Sequence, residues 1–198
     1  MSLFLNLWLK LFFVFTPFFG LSMFLSMTEG YDETQRRKLA LTTSTAVGVS
    51  CLILLFAGSQ IFAVFGITLN SFRIGAGVLL FLSGLGLVQG RAIAATASPD
   101  SDVSVVPLAI PIIVGPATIG TLIVMGAELN GWLEKLTGTL SLLTAVVSIT
   151  LVLCSASAIH RRLGARGIAI LSKLTGLILV ALASQMVMTG IQGFLGTP

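Results

Sequence analysis

The chain has 198 residues, of which 56% are hydrophobic and only 9% charged, and its mean hydropathy is +1.06. This composition excludes an ordinary soluble domain and indicates an integral membrane protein. The net charge of +4 comes from short basic segments between apolar ones, so it favours a role in membrane orientation over nucleic-acid binding.

The apolar segments predict six transmembrane helices, because a helix needs about 20 residues to cross a hydrocarbon core of about 30 Å. The predicted spans cover about 7–27, 39–65, 72–88, 103–126, 136–159 and 174–194. They form one membrane domain over residues 1–198. No basic residue precedes Lys10 and no small-x-small site precedes Thr28, so the first segment is predicted to be a mature span rather than a signal peptide.

Span 1 contains an interruption, Thr16-Pro17-Phe-Phe-Gly20-Leu-Ser22. A proline removes a backbone N–H and clashes with the preceding turn, so a helix must kink or break there. The polar turn 28–38 follows, and its Asp32 or Thr34 is expected to cap span 2.

Span 4 carries the second interruption, Pro107-Leu-Ala-Ile-Pro111-Ile-Ile-Val-Gly115-Pro116. Counted from position 103, Pro111 lies about 12 Å deep at about 1.5 Å per residue, near mid-bilayer. Pro17 reaches a comparable depth from the other face. Because a broken backbone in hydrocarbon is tolerated only where it is buried in protein or lines a polar cavity, these breaks are predicted to meet at the working site.

The chain also shows a weak internal repeat. Spans 1 and 4 align on Pro17 and Pro111, and spans 3 and 6 align on Gly77 and Gly176. The small polar segment 91–102 is predicted to link repeat 1, about 1–90, to repeat 2, about 103–198. When a unit of three spans is repeated in tandem, the second copy has the opposite orientation in the membrane. The prediction is therefore an all-α membrane protein of two inverted three-helix repeats with discontinuous helices 1 and 4, an arrangement typical of secondary transporters.

Loop charges predict the orientation, because cytoplasmic loops are enriched in Lys and Arg. Loops 1–2, 3–4 and 5–6 contain Arg36, Arg37, Lys38, Arg91, Arg161, Arg162, Arg166 and Lys173, and the other side contains Lys10, Arg73 and Lys135. Both termini are therefore expected outside the cytoplasm. Arg73 and Lys173 are interpreted as snorkelling residues at helix ends, and the basic segment 160–173 as a cytoplasmic loop anchored to lipid headgroups.

The candidate binding groups follow from the two breaks. The second half of a broken helix begins with free N–H groups and a positive dipole end, which suit a carboxylate, and we expect these near 20–22 and 115–118. Carbonyls freed before each break are expected to accept an ammonium. The predicted substrate-binding residues are Thr16, Pro17, Gly20, Ser22, Pro111, Gly115, Pro116, Thr118, Thr121 and Gln185.

The sequence leaves alternatives for these polar residues. Each serine or threonine can instead satisfy backbone groups at a kink, and Gln185, expected to be buried in span 6, can form an interhelical hydrogen bond. All seven carboxylates fall in predicted loops, which disfavours a buried carboxylate as proton relay and leaves sodium coupling, exchange or facilitated movement open. No nucleophile–base pair or metal-ligand spacing occurs, so neither catalysis nor a metal or cofactor is predicted.

Three stretches carry a family resemblance: Val106-Pro-Leu-Ala-Ile-Pro-Ile-Ile-Val-Gly-Pro-Ala-Thr-Ile119, Phe65-Gly-Ile-Thr-Leu-Asn-Ser-Phe-Arg-Ile-Gly-Ala-Gly77, and Leu171-Ser-Lys-Leu-Thr-Gly-Leu-Ile-Leu179. In these the chain resembles the MarC family of bacterial inner-membrane proteins, which includes the small neutral amino acid transporters called SnatA. The resemblance implies inverted repeats with discontinuous helices 1 and 4 and transport of glycine, alanine or similar amino acids. Span 1 departs from the common Asp-Pro-x-Gly-Asn-x-Pro pattern, which leaves substrate and coupling ion open.

The leading hypothesis is a secondary transporter of small neutral amino acids that works by alternating access around the paired breaks, surrounded by membrane lipid. The alternatives are an exporter of another small solute and a non-transporting membrane scaffold whose glycines serve helix association. The scaffold predicts tight packing around 111–116 and no polar cavity. Gly86 and Gly90 have GxxxG spacing, for which intramolecular packing is favoured over a homo-oligomer interface.

Overall fold

A computed structural model of the chain describes residues 2–90 and 113–196. All the regular secondary structure in these two ranges is helical. The helices are α1 Ser2–Val14, α2 Pro17–Met27, α3 Glu33–Phe65, α4 Leu69–Gln89, α5 Pro116–Glu128, α6 Trp132–Cys154 and α7 Ala156–Leu195. The predicted all-α class is confirmed. The linker 91–102, Pro107 and Pro111 lie outside the described residues.

Five stretches are long and apolar enough to cross a membrane: Leu3–Met27, Glu33–Ala57, Leu69–Gln89, Trp132–Cys154 and Ala156–Leu195. Within the described ranges, the corresponding part of predicted span 4 is the shorter apolar helix Ala117–Glu128. Large apolar side chains such as Ile53, Leu82 and Leu151 are exposed on the helix surfaces, as expected of helices surrounded by lipid.

Several helix bounds differ from the prediction. Helix α3 begins at Glu33, ahead of the predicted span 39–65, and the predicted cap at Asp32 is confirmed: Gln35 N–H donates to Asp32 Oδ1 at 2.7 Å and Asp32 N–H to Gln35 Oε1 at 3.0 Å, which forms a capping box. The predicted loop 160–173 is largely helical, but the chain leaves helical geometry at Gly164, with φ 64° and ψ 173°, so α7 consists of two helical segments that meet there. Its alanines, leucines and arginines are strong helix formers, which explains the difference.

The first apolar stretch changes direction at Thr16. Helix α1 ends at Val14 and α2 begins at Pro17, and the residue between them has φ 50° and ψ 58°. Thr16 is the one non-glycine residue with positive φ in the described part of the chain. Proline suits the first position of α2 because its missing N–H would have no helical partner there.

Helices α4 and α7 pack in antiparallel orientation through glycines. Gly77 lies against the backbone of Ala183, Gly84 against Gly176, and Gly190 against Asn70. A Cβ added to Gly84 would lie 2.8 Å from the carbonyl oxygen of Gly176, and a Cβ added to Gly176 would lie 2.7 Å from that of Gly84. The two backbones therefore touch, as small residues permit in membrane helices.

This contact is reciprocal. Gly84 also meets the residues three and four positions after Gly176, and Gly176 meets those three and four positions after Gly84, all near 3.0 Å. The matching segments are Leu82-Ser-Gly-Leu-Gly-Leu-Val88 and Leu174-Thr-Gly-Leu-Ile-Leu-Val180. The structure thus pairs Gly176 with Gly84 rather than with Gly77, on which the repeat was aligned.

Helix α5 lies between α3 and α4. Gly126 approaches the carbonyl oxygen of Leu55 in α3, and Gly120 approaches Ala76 in α4. The end of α3 is joined to the start of α4 by a short turn, and Arg73 near that start contacts Glu128 at the end of α5. Consequently α3 and α5 run in the same direction, and α4 runs against both.

We predict that Gly84→Ala destabilises the protein by about 1–3 kcal/mol, because the added methyl group must displace the α7 backbone. The matched control is Gly75→Ala in the same helix, where an added Cβ meets nothing within 4 Å. The measurement is the thermal unfolding temperature of both variants in one detergent. Equal unfolding temperatures for the two variants would contradict the close contact.

Candidate functional site

The starts of α2 and α5 lie against each other. A Cβ added to Gly20 in α2 would lie 3.7 Å from Cγ1 of Ile113, just before α5. Val14, at the end of α1, and Ala117, in the first turn of α5, belong to one buried cluster. The prolines that begin the two helices, Pro17 and Pro116, therefore mark one region inside the protein.

The side chains around these helix starts are mostly apolar. Phe15, Leu21, Ile113, Val114 and Leu122 are all buried in one hydrophobic cluster. Burial in protein is the condition under which an interrupted helix is tolerated at membrane depth. Tight packing here is also what the scaffold hypothesis expects, so the polar groups in the region decide between the two hypotheses.

Backbone donors are the first of these polar groups. Neither Thr16, before α2, nor Gly115, before α5, makes a side-chain capping bond. The first intrahelical bonds are donated by Gly20 to Thr16 and by Ile119 to Gly115. The N–H groups without an intrahelical partner therefore precede Gly20, and the expectation of free donors at 20–22 is wrong because α2 already begins at Pro17.

Hydroxyl groups divide into two kinds. The buried Thr118 donates from Oγ1 to the Ile113 carbonyl oxygen at 3.0 Å, so it satisfies the backbone at the interruption. Thr121 is 1% exposed, and its Oγ1 has no hydrogen-bond partner among the described residues. The same holds for Thr43 Oγ1 and Ser44 Oγ in α3. A buried hydroxyl left without a partner costs about 1–3 kcal/mol.

Of these unpartnered hydroxyls, that of Thr121 lies in α5 itself, while Ser44 lines a groove between α3 and α6 together with Leu143, Val146 and Thr150. Leu55 is level with Gly126, and α3 and α5 run in the same direction. Thr43 precedes Leu55 by about 18 Å at about 1.5 Å per residue, and Val114 precedes Gly126 by the same distance. Thr43 and Ser44 are therefore about level with the residues just before α5, and Thr121 lies in the second turn of α5.

A large polar cavity opens at the end of α2, and we name it the Arg36 cavity. It has a volume of about 540 Å³ and is lined by Ser22, Leu25, Ser26, Glu29, Glu33, Arg36, Ser157, His160, Arg161, Ala165 and Ile168. Acidic and basic groups are both present. Ser22, a predicted binding residue, is exposed in this cavity rather than buried beside the helix start.

Arg36 connects three helices beside this cavity. Its guanidinium donates to the carbonyl oxygen of Thr28 from Nε at 3.3 Å and from Nη2 at 3.0 Å, and Nη1 donates to Ser157 Oγ at 2.9 Å. Thr28 follows the end of α2 and Ser157 begins α7. The guanidinium therefore fixes the starts of α3 and α7 to the end of α2.

A smaller polar cavity, the Arg73 cavity, lies at the opposite end of α3. Its volume is about 140 Å³, and it is lined by Lys10, Arg73, Val124, Glu128, Leu182, Gln185, Met186 and Thr189. The long helix α3 separates the cavities, because Glu33 at its start lines the Arg36 cavity while its end leads into α4 and Arg73. The cavities therefore open on opposite faces of the helix bundle.

Two predictions about the Arg73 cavity are wrong. Arg73 is not a snorkelling residue, because Nη2 pairs with Glu128 Oε1 at 2.6 Å and the arginine side chain is only 16% exposed. Gln185 is exposed rather than buried, and its amide donates to Thr189 Oγ1 at 3.4 Å on the same helix. One turn along a helix separates these two side chains, so neither needs a partner from another helix.

The structure thus distributes the predicted site residues over three places. Most of them, Thr16, Pro17, Gly20, Gly115, Pro116, Thr118 and Thr121, lie at the two helix starts. Ser22 lines one cavity and Gln185 the other, while Pro111 lies outside the described residues. Sequence reasoning missed Lys10 and the pair Thr43 and Ser44, although a charged or polar residue within an apolar span is itself a signal of function.

We predict that Arg36→Gln lowers the free energy of unfolding by about 1.5–3 kcal/mol, because hydrogen bonds from a charged donor are lost. The neighbouring Arg37→Gln is the matched control, since Arg37 is exposed. Chemical or thermal unfolding in lipid nanodiscs provides the measurement. If Arg37→Gln destabilised the protein as much as Arg36→Gln, the contacts to Thr28 and Ser157 would not explain the loss.

Comparison with known proteins gives a consistent result over the whole chain. Residues 1–195 match the family described as MarC family integral membrane protein. A UPF0056 membrane protein of Methanocaldococcus jannaschii is 33% identical, with 94% of each chain covered. One from Aquifex aeolicus is 32% identical over 98% of this chain and 94% of its own. No solved structure matches.

Proposed function

Since the chain belongs to the MarC family of integral membrane proteins, we propose that it is a secondary transporter of small neutral amino acids such as glycine or alanine. The proposed mechanism is alternating access around the starts of α2 and α5. The observation that carries the proposal is the position of these two helix starts, where Gly20 of α2 lies against Ile113, just before α5, between polar cavities on opposite faces.

The chemistry of the helix starts suits a zwitterion. Free N–H groups at the beginning of α2 or α5, together with the positive end of the helix dipole, favour a carboxylate. The unpartnered hydroxyl of Thr121, in the second turn of α5, supplies a further hydrogen bond in an otherwise apolar region. A bound solute would remove the cost of leaving these groups unpaired.

The two cavities suit the same class of solute. The Arg36 cavity combines Glu29 and Glu33 with Arg36 and Arg161. The Arg73 cavity combines Lys10 and Arg73 with Glu128. Both therefore offer partners to an ammonium and to a carboxylate, whereas a cavity with charges of only one sign would favour an ion of the opposite sign.

The architecture we propose consists of two inverted three-helix repeats with interrupted helices 1 and 4. The antiparallel, reciprocal contact of α4 with α7 at Gly84 and Gly176 supports this, because each helix would be the third of its repeat. Alternating access then follows from rocking of one repeat against the other around the helix starts. We place the protein in the bacterial inner membrane with both termini outside the cytoplasm, on the distribution of loop charges.

The direct test is uptake of labelled glycine or alanine into proteoliposomes that contain the purified protein. We expect uptake above empty vesicles, with competition by unlabelled small neutral amino acids and none by large cationic ones. Loading the vesicles and measuring release distinguishes exporters from importers. Absence of transport for every small amino acid in both directions would reject this substrate class and leave the exporter of another small solute and the scaffold, the latter favoured by the apolar packing around Ile113 and Val114.

A pair of threonine variants separates function from folding. We predict that Thr121→Val raises the free energy of unfolding by about 1–3 kcal/mol, because it removes a buried hydroxyl without a partner, and that it lowers transport if the hydroxyl contacts the solute. Thr118→Val on the same helix should instead reduce stability, since its hydroxyl donates to Ile113.

Stability and uptake are measured on the same preparations of both variants. A more stable Thr121→Val protein with unchanged uptake would show that this hydroxyl has no part in solute binding.

A further inference from the structure

The Arg73 cavity contains more positive charge than its own carboxylate neutralises. Arg73 Nη2 pairs with Glu128, and Nη1 donates to Asn70 Oδ1 at 3.0 Å, but the buried Nε has no partner. Lys10 lines the same cavity from α1 and makes no ion pair in the part of the chain that the structure describes. Lys10 and Arg73 therefore leave one positive charge in this cavity beyond the charge of Glu128, which favours an anionic partner.

The cavity has the size of one small solute. Its 140 Å³ corresponds to about five water molecules at about 30 Å³ each. Val124, Leu182 and Met186 form its apolar wall, and Gln185 and Thr189 add an amide and a hydroxyl. A group with a carboxylate, an ammonium and at most a short apolar side chain matches this lining, whereas a second charged side chain would face the apolar wall without a partner.

We propose that the Arg73 cavity is a second, peripheral binding site for a small zwitterion, in which Lys10 binds the carboxylate and Glu128 accepts the ammonium. Arg73 holds Glu128 in place through their ion pair. This inference rests on the proposed function. It assigns a site that the solute occupies before it reaches the starts of α2 and α5. Lys10 is about 6 Å, or roughly one helical turn, from Val14, where α1 ends. A solute bound here is therefore adjacent to the interruption of the first span.

The test is thiol modification of Thr189→Cys in a Cys51→Ala, Cys154→Ala background, in lipid nanodiscs that leave both faces open. An anionic, membrane-impermeant methanethiosulfonate is the reagent, and glycine is the protecting solute. We expect saturating glycine to slow modification about tenfold, with acetate and methylamine each protecting less because each lacks one charge. Asn130→Cys, exposed on the same face, is the control and should react equally with and without glycine.

Replacing Lys10 tests the assignment within this site. Lys10→Gln should raise the glycine concentration needed for half-maximal protection about tenfold or more, as expected for loss of one charged hydrogen bond. Lys10→Arg should restore part of the affinity. Unfolding temperatures of both variants establish that they are folded. Unchanged protection in Lys10→Gln overturns the inference, as does failure of both Thr189→Cys and Gln185→Cys to react.

The outcome is independent of the transport assay. Protection at Thr189 without uptake in proteoliposomes would retain this binding site and reject the proposed transporter. Uptake without protection would retain the transporter and reject the peripheral site.

Discussion

The structure depends on the rule that backbone polar groups inside a membrane must find partners within the protein. Pro17 and Pro116 both begin helices well inside apolar sequence, and each leaves N–H groups without intrahelical partners. Such ends are tolerable only when other helices enclose them. The chain meets this condition by placing the two helix starts against each other and packing Phe15, Leu21 and Ile113 around them.

The same enclosure explains where polarity is found. Around the helix starts, the Thr118 hydroxyl closes a backbone bond, and the buried Thr121 hydroxyl has no partner among the described residues. Charged groups lie instead in the two cavities, towards the ends of the helices, where hydration is available. The protein therefore keeps its charged side chains near its faces and apolar packing in its centre.

The sequence predicted the all-α class, the membrane location, the family and the interruption at Thr16 because each follows from composition, proline chemistry or a local motif. It failed where the outcome depends on which helices are neighbours. Arg73 was predicted to extend to the lipid headgroups, but in the structure α5 brings Glu128 next to it and the two side chains form an ion pair. Gln185 sits in an apolar segment, but hydropathy carries no information about which side of a helix faces a cavity.

The repeat illustrates the same limit. Glycines are frequent in these spans, and several alignments of spans 3 and 6 have similar merit on sequence alone. Only the contact of backbone with backbone selects Gly84 as the partner of Gly176, after which the common Leu-Ser/Thr-Gly-Leu pattern becomes evident. The contact between the two copies therefore identifies which alignment of this short motif is the relevant one.

That contact also restricts how the molecule can move. Each glycine lies under the other's carbonyl oxygen, so sliding α4 along α7 would drive a neighbouring side chain, Leu87 or Leu179, into the opposite backbone. Close contacts also occur on either side of this point, at Gly77 with Ala183 and at Gly190 with Asn70, so tilting α4 against α7 would disturb those contacts as well. The two helices are therefore held together as one unit along their length, and this unit fixes the spacing of Arg73 on α4 and Gln185 on α7 in the Arg73 cavity.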